Sequence, residues 1–170
     1  MMSKPSSARR VAYAGVLAAL SVSLLYLVTV LPTMRLSVLF ILALLPVTLA
    51  AERRWADAAM GFAAAALLSG LLIGPRGVWL LYVVFFGWYG IAREYVFMKW
   101  GRLWTWVVMV VLFNIALFTL TFFAKLLVLD LKLPAALLIP AAEAGFVLFE
   151  LLFGMCREYY MKHVRKLIIR

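Results

Sequence analysis

The chain has 170 residues, 68% of them hydrophobic and only 14% charged, with a mean hydropathy of +1.08 and a formal charge of +10. That composition excludes a water-soluble globular domain and makes the lipid bilayer the solvent for which the sequence is built. The excess of Lys and Arg requires no nucleic-acid partner, because basic loops lying against anionic membrane lipids account for it.

A membrane-crossing helix needs roughly 20 mostly apolar residues. Gly, Pro and charge divide this chain into six such runs, at about 10–30, 36–51, 58–73, 78–95, 103–125 and 135–156. The first follows Lys4, Arg9 and Arg10. Its apolar stretch is longer than the 7–15 residues of a typical signal-peptide core and has no small-x-small cleavage site before a polar sequence, so it is expected to stay as a span.

Leu31-Pro32-Thr33-Met34-Arg35 separates the first two runs, and Glu52-Arg53-Arg54-Trp55-Ala56-Asp57 closes the second. Gly74-Pro75-Arg76-Gly77 reads as a tight turn. Lys99-Trp100-Gly101-Arg102 ends the fourth run, and Asp130-Leu131-Lys132-Leu133-Pro134 precedes the sixth. Separators this short leave no room for a soluble domain. The expected fold is all-α, one polytopic membrane bundle of six transmembrane helices over residues 1–170, closed by a basic tail at 157–170.

Alternate sides of such a bundle differ in charge. The N-terminus, the second and fourth loops and the tail hold thirteen of the 17 Lys and Arg, whereas the other side holds Arg35, Arg76, Lys125 and Lys132. The positive-inside rule then places both termini in the cytoplasm of a multi-pass plasma-membrane protein. In the tail, Met161, Val164 and Ile168 recur at helical spacing among basic residues, as in an anchor extending the last helix or lying on the inner leaflet.

Reactive residues are scarce. Cys156 is the only cysteine and His163 the only histidine, so neither a disulfide within the chain nor a histidine-based catalytic or metal motif can be assembled. No catalytic residue, metal site or cofactor is assigned, and the chain is not expected to be an enzyme.

The first run, "RRVAYAGVLAAL", carries two small-residue pairs, Ala14 with Ala18 and Gly15 with Ala19, and Ser21 continues the former. Helices in lipid associate by close packing, which favours small residues. This face is therefore either a seam inside the bundle, facing Gly61, Ala64, Ala65 and Ala66 of the third run, or a docking surface for a partner.

Two carboxylates lie in the sixth run. Glu143 and Glu150 are seven residues apart, two turns, on a stripe with Pro140, Val147, Gly154 and Arg157. A charge in the hydrocarbon region costs roughly 2.5–3.5 kcal/mol on insertion scales, so neither is expected to face lipid. Glu143, nearer the outer end, suits a ligand role or a protonated interhelical hydrogen bond; Glu150, nearer the inner end, suits an ion pair with Arg93. Asn114 suits interhelical hydrogen bonding or a ligand contact. Trp79 and Tyr82 fit the outer interface, and Tyr95, Trp100 and Trp104 the inner belt. Trp88 and Tyr89 lie deeper, where they could stack on a planar ligand or pack within the bundle.

The basic N-terminus leading into an A-x-x-x-A first helix, in a chain of this length with six runs, resembles the substrate-binding S component of energy-coupling factor transporters. The stretch "LLYVVFFGWYGIAREYVFMKWGRLWTWVVMVVLFNIAL" is similar to uncharacterised S-component-like bacterial proteins with an aromatic "FFGWY" segment and a mid-helix Asn. The resemblance implies uptake of a vitamin or other micronutrient, with a T subunit and two ATPases as partners. It also implies docking on the T subunit through Ala14, Gly15, Ala18 and Ala19, and a small-molecule site drawing on Glu143, Asn114, Trp88, Tyr89 and the loop residue Arg35. No signature for a particular vitamin is present. The alternatives are a structural or assembly membrane protein without a ligand, an intramembrane enzyme using Glu143 and Glu150 with Arg93, and a self-contained carrier, for which no inverted repeat is evident.

Overall fold

The computed structural model describes residues 7–74, 76–126 and 135–164. Lys4, Pro75, Asp130, Lys132, Pro134 and the end of the basic tail, Ile168 included, lie outside the described residues. Among the described residues the chain is helical throughout, without strands, and contains several helices long and apolar enough to cross a membrane. The chain is described in two compact units, residues 1–122 and 123–170.

In the first unit α1 runs over Ser7–Val30, and a single 3-10 turn, Pro32–Met34, leads into α2, Arg35–Ala50. Proline at the start of that turn supplies a preset φ and needs no hydrogen-bond partner for its nitrogen. At 16 residues α2 is about 24 Å long, the shortest of the long apolar helices, and it buries Pro46 within its length. A tight loop follows, in which Arg53 takes a left-handed conformation (φ 59°) and the Arg53 and Arg54 amides donate to the Ala50 and Leu49 carbonyls.

Helix α3, Trp55–Leu72, then runs parallel to α1. Arg10 reaches Asp57 at one end, and farther along Leu17 lies against Gly61 so closely that a β-carbon there would come within 2.5 Å of the Leu17 Cδ2. Glycine at position 61 is thus what lets these two helices approach. The buried side of α1 is Ala14, Leu17, Ala18, Ser21, Leu25 and Val28, an i, i+3, i+4, i+7 pattern.

The chain returns through α4, Arg76–Leu81, which passes through one π-helical turn, Tyr82–Phe86, into α5, Gly87–Leu126. Trp79 donates to the Ala66 carbonyl at 2.9 Å near the far end of α3, Phe62 meets Tyr82 at 5.7 Å, and Trp55 meets Tyr95 at 5.7 Å near the start of α3. These contacts set the returning segment antiparallel to α3.

From Arg76 to Phe122 the apolar helical stretch is 47 residues, about 70 Å and more than twice the hydrocarbon core. Gly101, at φ 79° and ψ −173°, breaks it. The Phe85 and Phe113 rings meet at 5.6 Å, so the chain after Gly101 folds back along the chain before it. Among the described residues the first unit therefore consists of α1, α2, α3 and the long α4–α5 stretch folded back at Gly101.

The second unit holds α6, Ala135–Tyr159, followed by a π-helical turn, Tyr160–Val164. Among its described residues Phe146, Glu150 and Phe153 are buried, spaced four and three apart on one side of the helix. Val147 and Pro140, expected on the inward stripe, are exposed. Arg157 and Glu158 fall in its last turn, and Lys162 forms a surface ion pair with Glu158 at 3.8 Å.

Candidate functional site

The best-defined polar constellation of the first unit sits where α1 and α3 begin. Asp57, in the first turn of α3, is buried, and both carboxylate oxygens are engaged. Arg10 Nε donates to Oδ1 at 2.8 Å, and Arg54 Nε donates to Oδ2 at 2.7 Å with its Nη2 at 2.6 Å. The Arg54 guanidinium also lies 4.3 Å from the centre of the Tyr13 ring on α1. A carboxylate in the first helical turn complements the helix dipole, and here it ties the start of α1 to the loop entering α3. The arrangement is a clamp: two cations fully occupy one carboxylate, and nothing in it is poised for proton transfer.

The small residues of α1 divide between two sides. Ala14 and Ala18 are buried within the first unit, while Gly15 and Ala19 are exposed, with open space around Gly15. Of the two roles open to this stripe, internal packing is what Ala14 and Ala18 perform. The exposed small residues are Ala8, Ala12, Gly15, Ala19 and Ser23, which at 100° per residue fall within an arc of about 80°; beyond Ser23 the same arc carries the exposed Tyr26 and Val30, so the small-residue strip occupies about the first four to five turns of α1. By contrast, the exposed side of α5 after Gly101 carries Val107, Val111, Ile115, Phe118 and Phe122.

The residues expected to hold a ligand are differently disposed. Tyr89 is fully buried with its ring 4.9 Å from Phe85. Trp88 is half-buried, and its indole N–H donates to the Val84 carbonyl one turn back at 2.9 Å. Asn114 is exposed and donates to its own helix, Val110 O at 3.0 Å, so it does not bridge helices as expected. Arg35 is exposed at the start of α2, and Glu143 is half-buried in the second unit. Arg93 in the first unit and Glu150 in the second are both buried. Tyr82, expected at the outer interface, is 2% exposed and interacts with Ser21 of α1.

The "FFGWY" segment has a packing explanation. A β-carbon on Gly87 would sit 2.5 Å from Phe62 and 2.9 Å from Tyr82, so only glycine lets those rings lie on the backbone. Phe85, Phe86 and Tyr89 are buried around it. The π-helical turn adds one residue to the helical circuit, which brings Tyr82, Phe85 and Phe86 together on the inner side.

An open groove of about 630 Å³ lies at the Gly101 reversal, lined by Trp100, Arg102, Leu103, Trp104 and Trp106. None of the residues expected to bind substrate lines it. Among the described residues, no three His, Cys, Asp or Glu side chains stand together as a metal site. Comparison with known proteins finds no match, neither a family model, nor a curated protein, nor a solved structure.

Proposed function

We propose that the chain is a six-pass plasma-membrane protein with both termini in the cytoplasm, and that it works by docking on a membrane partner through the exposed side of α1. The observation that carries this reading is the small-residue stripe Ala8, Ala12, Gly15, Ala19 and Ser23, left uncovered while α1 packs its opposite side on α3. Large aliphatic and aromatic side chains suit a surface that meets only lipid, as on α5. A flat strip of Ala, Gly and Ser lets another backbone approach closely. The topology is supported by the gathering of Arg10, Arg53, Arg54, Lys99 and Arg102 toward the end of the first unit where α1 and α3 begin, with Arg35 and Arg76 toward the other.

In its specific form, following the sequence resemblance, the protein is the substrate-capture subunit of an energy-coupling-factor-type transporter for a vitamin or micronutrient. Its partner is then a T subunit with two ATPases, docked on Gly15 and Ala19 rather than Ala14 and Ala18. In this form Glu143, half-buried on α6, is the proposed contact for a small polar ligand. A second reading, a structural or assembly subunit without a ligand, is favoured by the burial of Tyr89 and by Trp88 and Asn114 donating to carbonyls of their own helical stretch.

Purification from native membranes in mild detergent, with mass spectrometry of the co-purifying proteins and small molecules, separates the two. A T subunit, ATPases and a bound small molecule that is weakened by Glu143→Gln support the transporter form. An unrelated membrane complex with no small molecule supports the structural one. Recovery of the chain alone removes both.

A further inference from the structure

Gly101 turns the chain where an α-helix would otherwise continue, and the groove beside it combines two chemistries. Trp100, Trp104 and Leu103 are 51%, 60% and 82% exposed, and Trp106 is half-buried, so the lining is chiefly indole and aliphatic. Arg102 is exposed within the same lining. Beside it, the Lys99 ammonium lies 5.0 Å from the centre of the Trp100 ring and 5.7 Å from that of Tyr95. Between Tyr95 and Leu129 the sequence contains no Asp or Glu, so no neighbour along the chain neutralises these cations.

Scattered interfacial tryptophans are an ordinary feature of membrane proteins. Three that line one groove with a guanidinium are a more specific arrangement. The helical segment after the break begins at residue 102, so the positive end of its backbone dipole also faces this turn. A ligand matching the groove must bring an anionic oxygen cluster to the Arg102 fork, to which guanidinium binds phosphate in bidentate fashion. It must also bring an apolar body to the indoles. A free anion satisfies only the first condition, a lipid without phosphate only the second, and a zwitterionic phospholipid meets the first poorly because its own quaternary ammonium sits beside the phosphate and opposes Arg102 and Lys99.

We propose that the Gly101 groove is a binding site for one anionic phospholipid, with the headgroup phosphate on Arg102 and Lys99 and the glycerol and upper acyl region against Trp104, Trp106 and Leu103. The site is independent of the transporter reading and requires only that the chain be embedded in a membrane.

The test is native mass spectrometry of the full chain released from detergent, titrated with phosphatidylglycerol or phosphatidylcholine of identical acyl chains. Wild type is expected to retain one phosphatidylglycerol with at least about fivefold preference over phosphatidylcholine, the effect of roughly one phosphate-facing cation near a membrane surface. Arg102→Gln should abolish the preference, Arg102→Lys should keep most of it, and Trp104→Leu should weaken retention of both lipids. Arg53→Asn, which removes an exposed cation outside the groove and suits the left-handed backbone there, should change nothing.

Equal retention of the two lipids by wild type would overturn the proposal, as would a preference that survives Arg102→Gln. Equal loss in Arg53→Asn would show general surface electrostatics instead. Displacement of phosphatidylglycerol by millimolar inorganic phosphate would assign the site to a soluble anion.

Discussion

Replacing Asp57 with alanine perturbs the first unit at the point where its charge is most concentrated. The Asp57 side chain is 3% exposed and Arg54 only 16%, whereas Arg10 is 45% exposed. Loss of the carboxylate leaves Arg54 largely out of water without its counter-ion, a situation that costs about 3–5 kcal/mol when a buried pair is broken from one side. The Arg10 arm is screened by solvent and behaves as a surface pair, contributing about 0–1 kcal/mol. Asp57→Ala is therefore expected to destabilise the protein by about 3–4 kcal/mol, and Arg10→Gln by less than about 1 kcal/mol. Asp57→Asn, which keeps the shape and one acceptor oxygen, falls between them. Equilibrium unfolding in mixed dodecyl sulfate micelles, followed by tryptophan fluorescence, measures all three. An Asp57→Ala variant as stable as wild type, or an Arg10→Gln variant equally damaged, would refute the clamp.

Gly61→Ala pushes a β-carbon into Leu17 and should destabilise by about 1–3 kcal/mol, while Gly15→Ala, with open space around it, should be neutral or stabilise by up to about 1 kcal/mol; the same unfolding assay distinguishes them. Gly101 occupies a backbone region that is essentially restricted to glycine, so Gly101→Ala should cost about 1–3 kcal/mol, and Gly101→Asn, which helps only near ψ +47°, should not rescue it. With both termini cytoplasmic, a fluorescent protein fused to the C-terminus should fluoresce and alkaline phosphatase at the same place should be inactive; the opposite pattern would reverse the topology.

That the chain is built of long apolar helices was legible because lipid forces it. Backbone polar groups in hydrocarbon must be satisfied within the helix, and the breaks do fall at Pro32, Gly74 and Gly101, whereas Pro46 and Pro140 lie inside α2 and α6 without ending them. The Arg10–Asp57 contact was not legible: the two residues lie 47 apart, and Asp57 read only as part of a charged separator until α1 and α3 were known to run parallel. Nor could periodicity choose between the stripes of α1, since Ala14 with Ala18 and Gly15 with Ala19 are equally small. The larger residues do not decide it either: Leu17, Leu25 and Val28 extend the Ala14, Ala18 and Ser21 side, while Tyr26 and Val30 extend the other. What fixes the buried side is Gly61 on α3, whose missing side chain admits Leu17.

Tyr82 lies inside rather than at the surface for a related reason. Tyr82 has the amphipathic character of an interfacial residue, yet the π-helical turn and the missing side chain at Gly87 rotate it inward to Ser21 and Phe62. A turn that departs from 3.6 residues leaves no signature in a pattern read at that period. Asn114 likewise satisfies itself on the Val110 carbonyl, an option sequence spacing cannot distinguish from a bond to another helix.

The central claim, that the exposed side of α1 is a docking surface, is tested most directly by co-purification from native membranes of wild type and two double variants. Gly15→Leu with Ala19→Leu should leave the monodisperse, folded protein intact and lose the membrane partner. Ala14→Leu with Ala18→Leu should instead disrupt the seam with α3 and unfold the protein. A partner retained undiminished by the folded Gly15→Leu/Ala19→Leu protein would contradict the account.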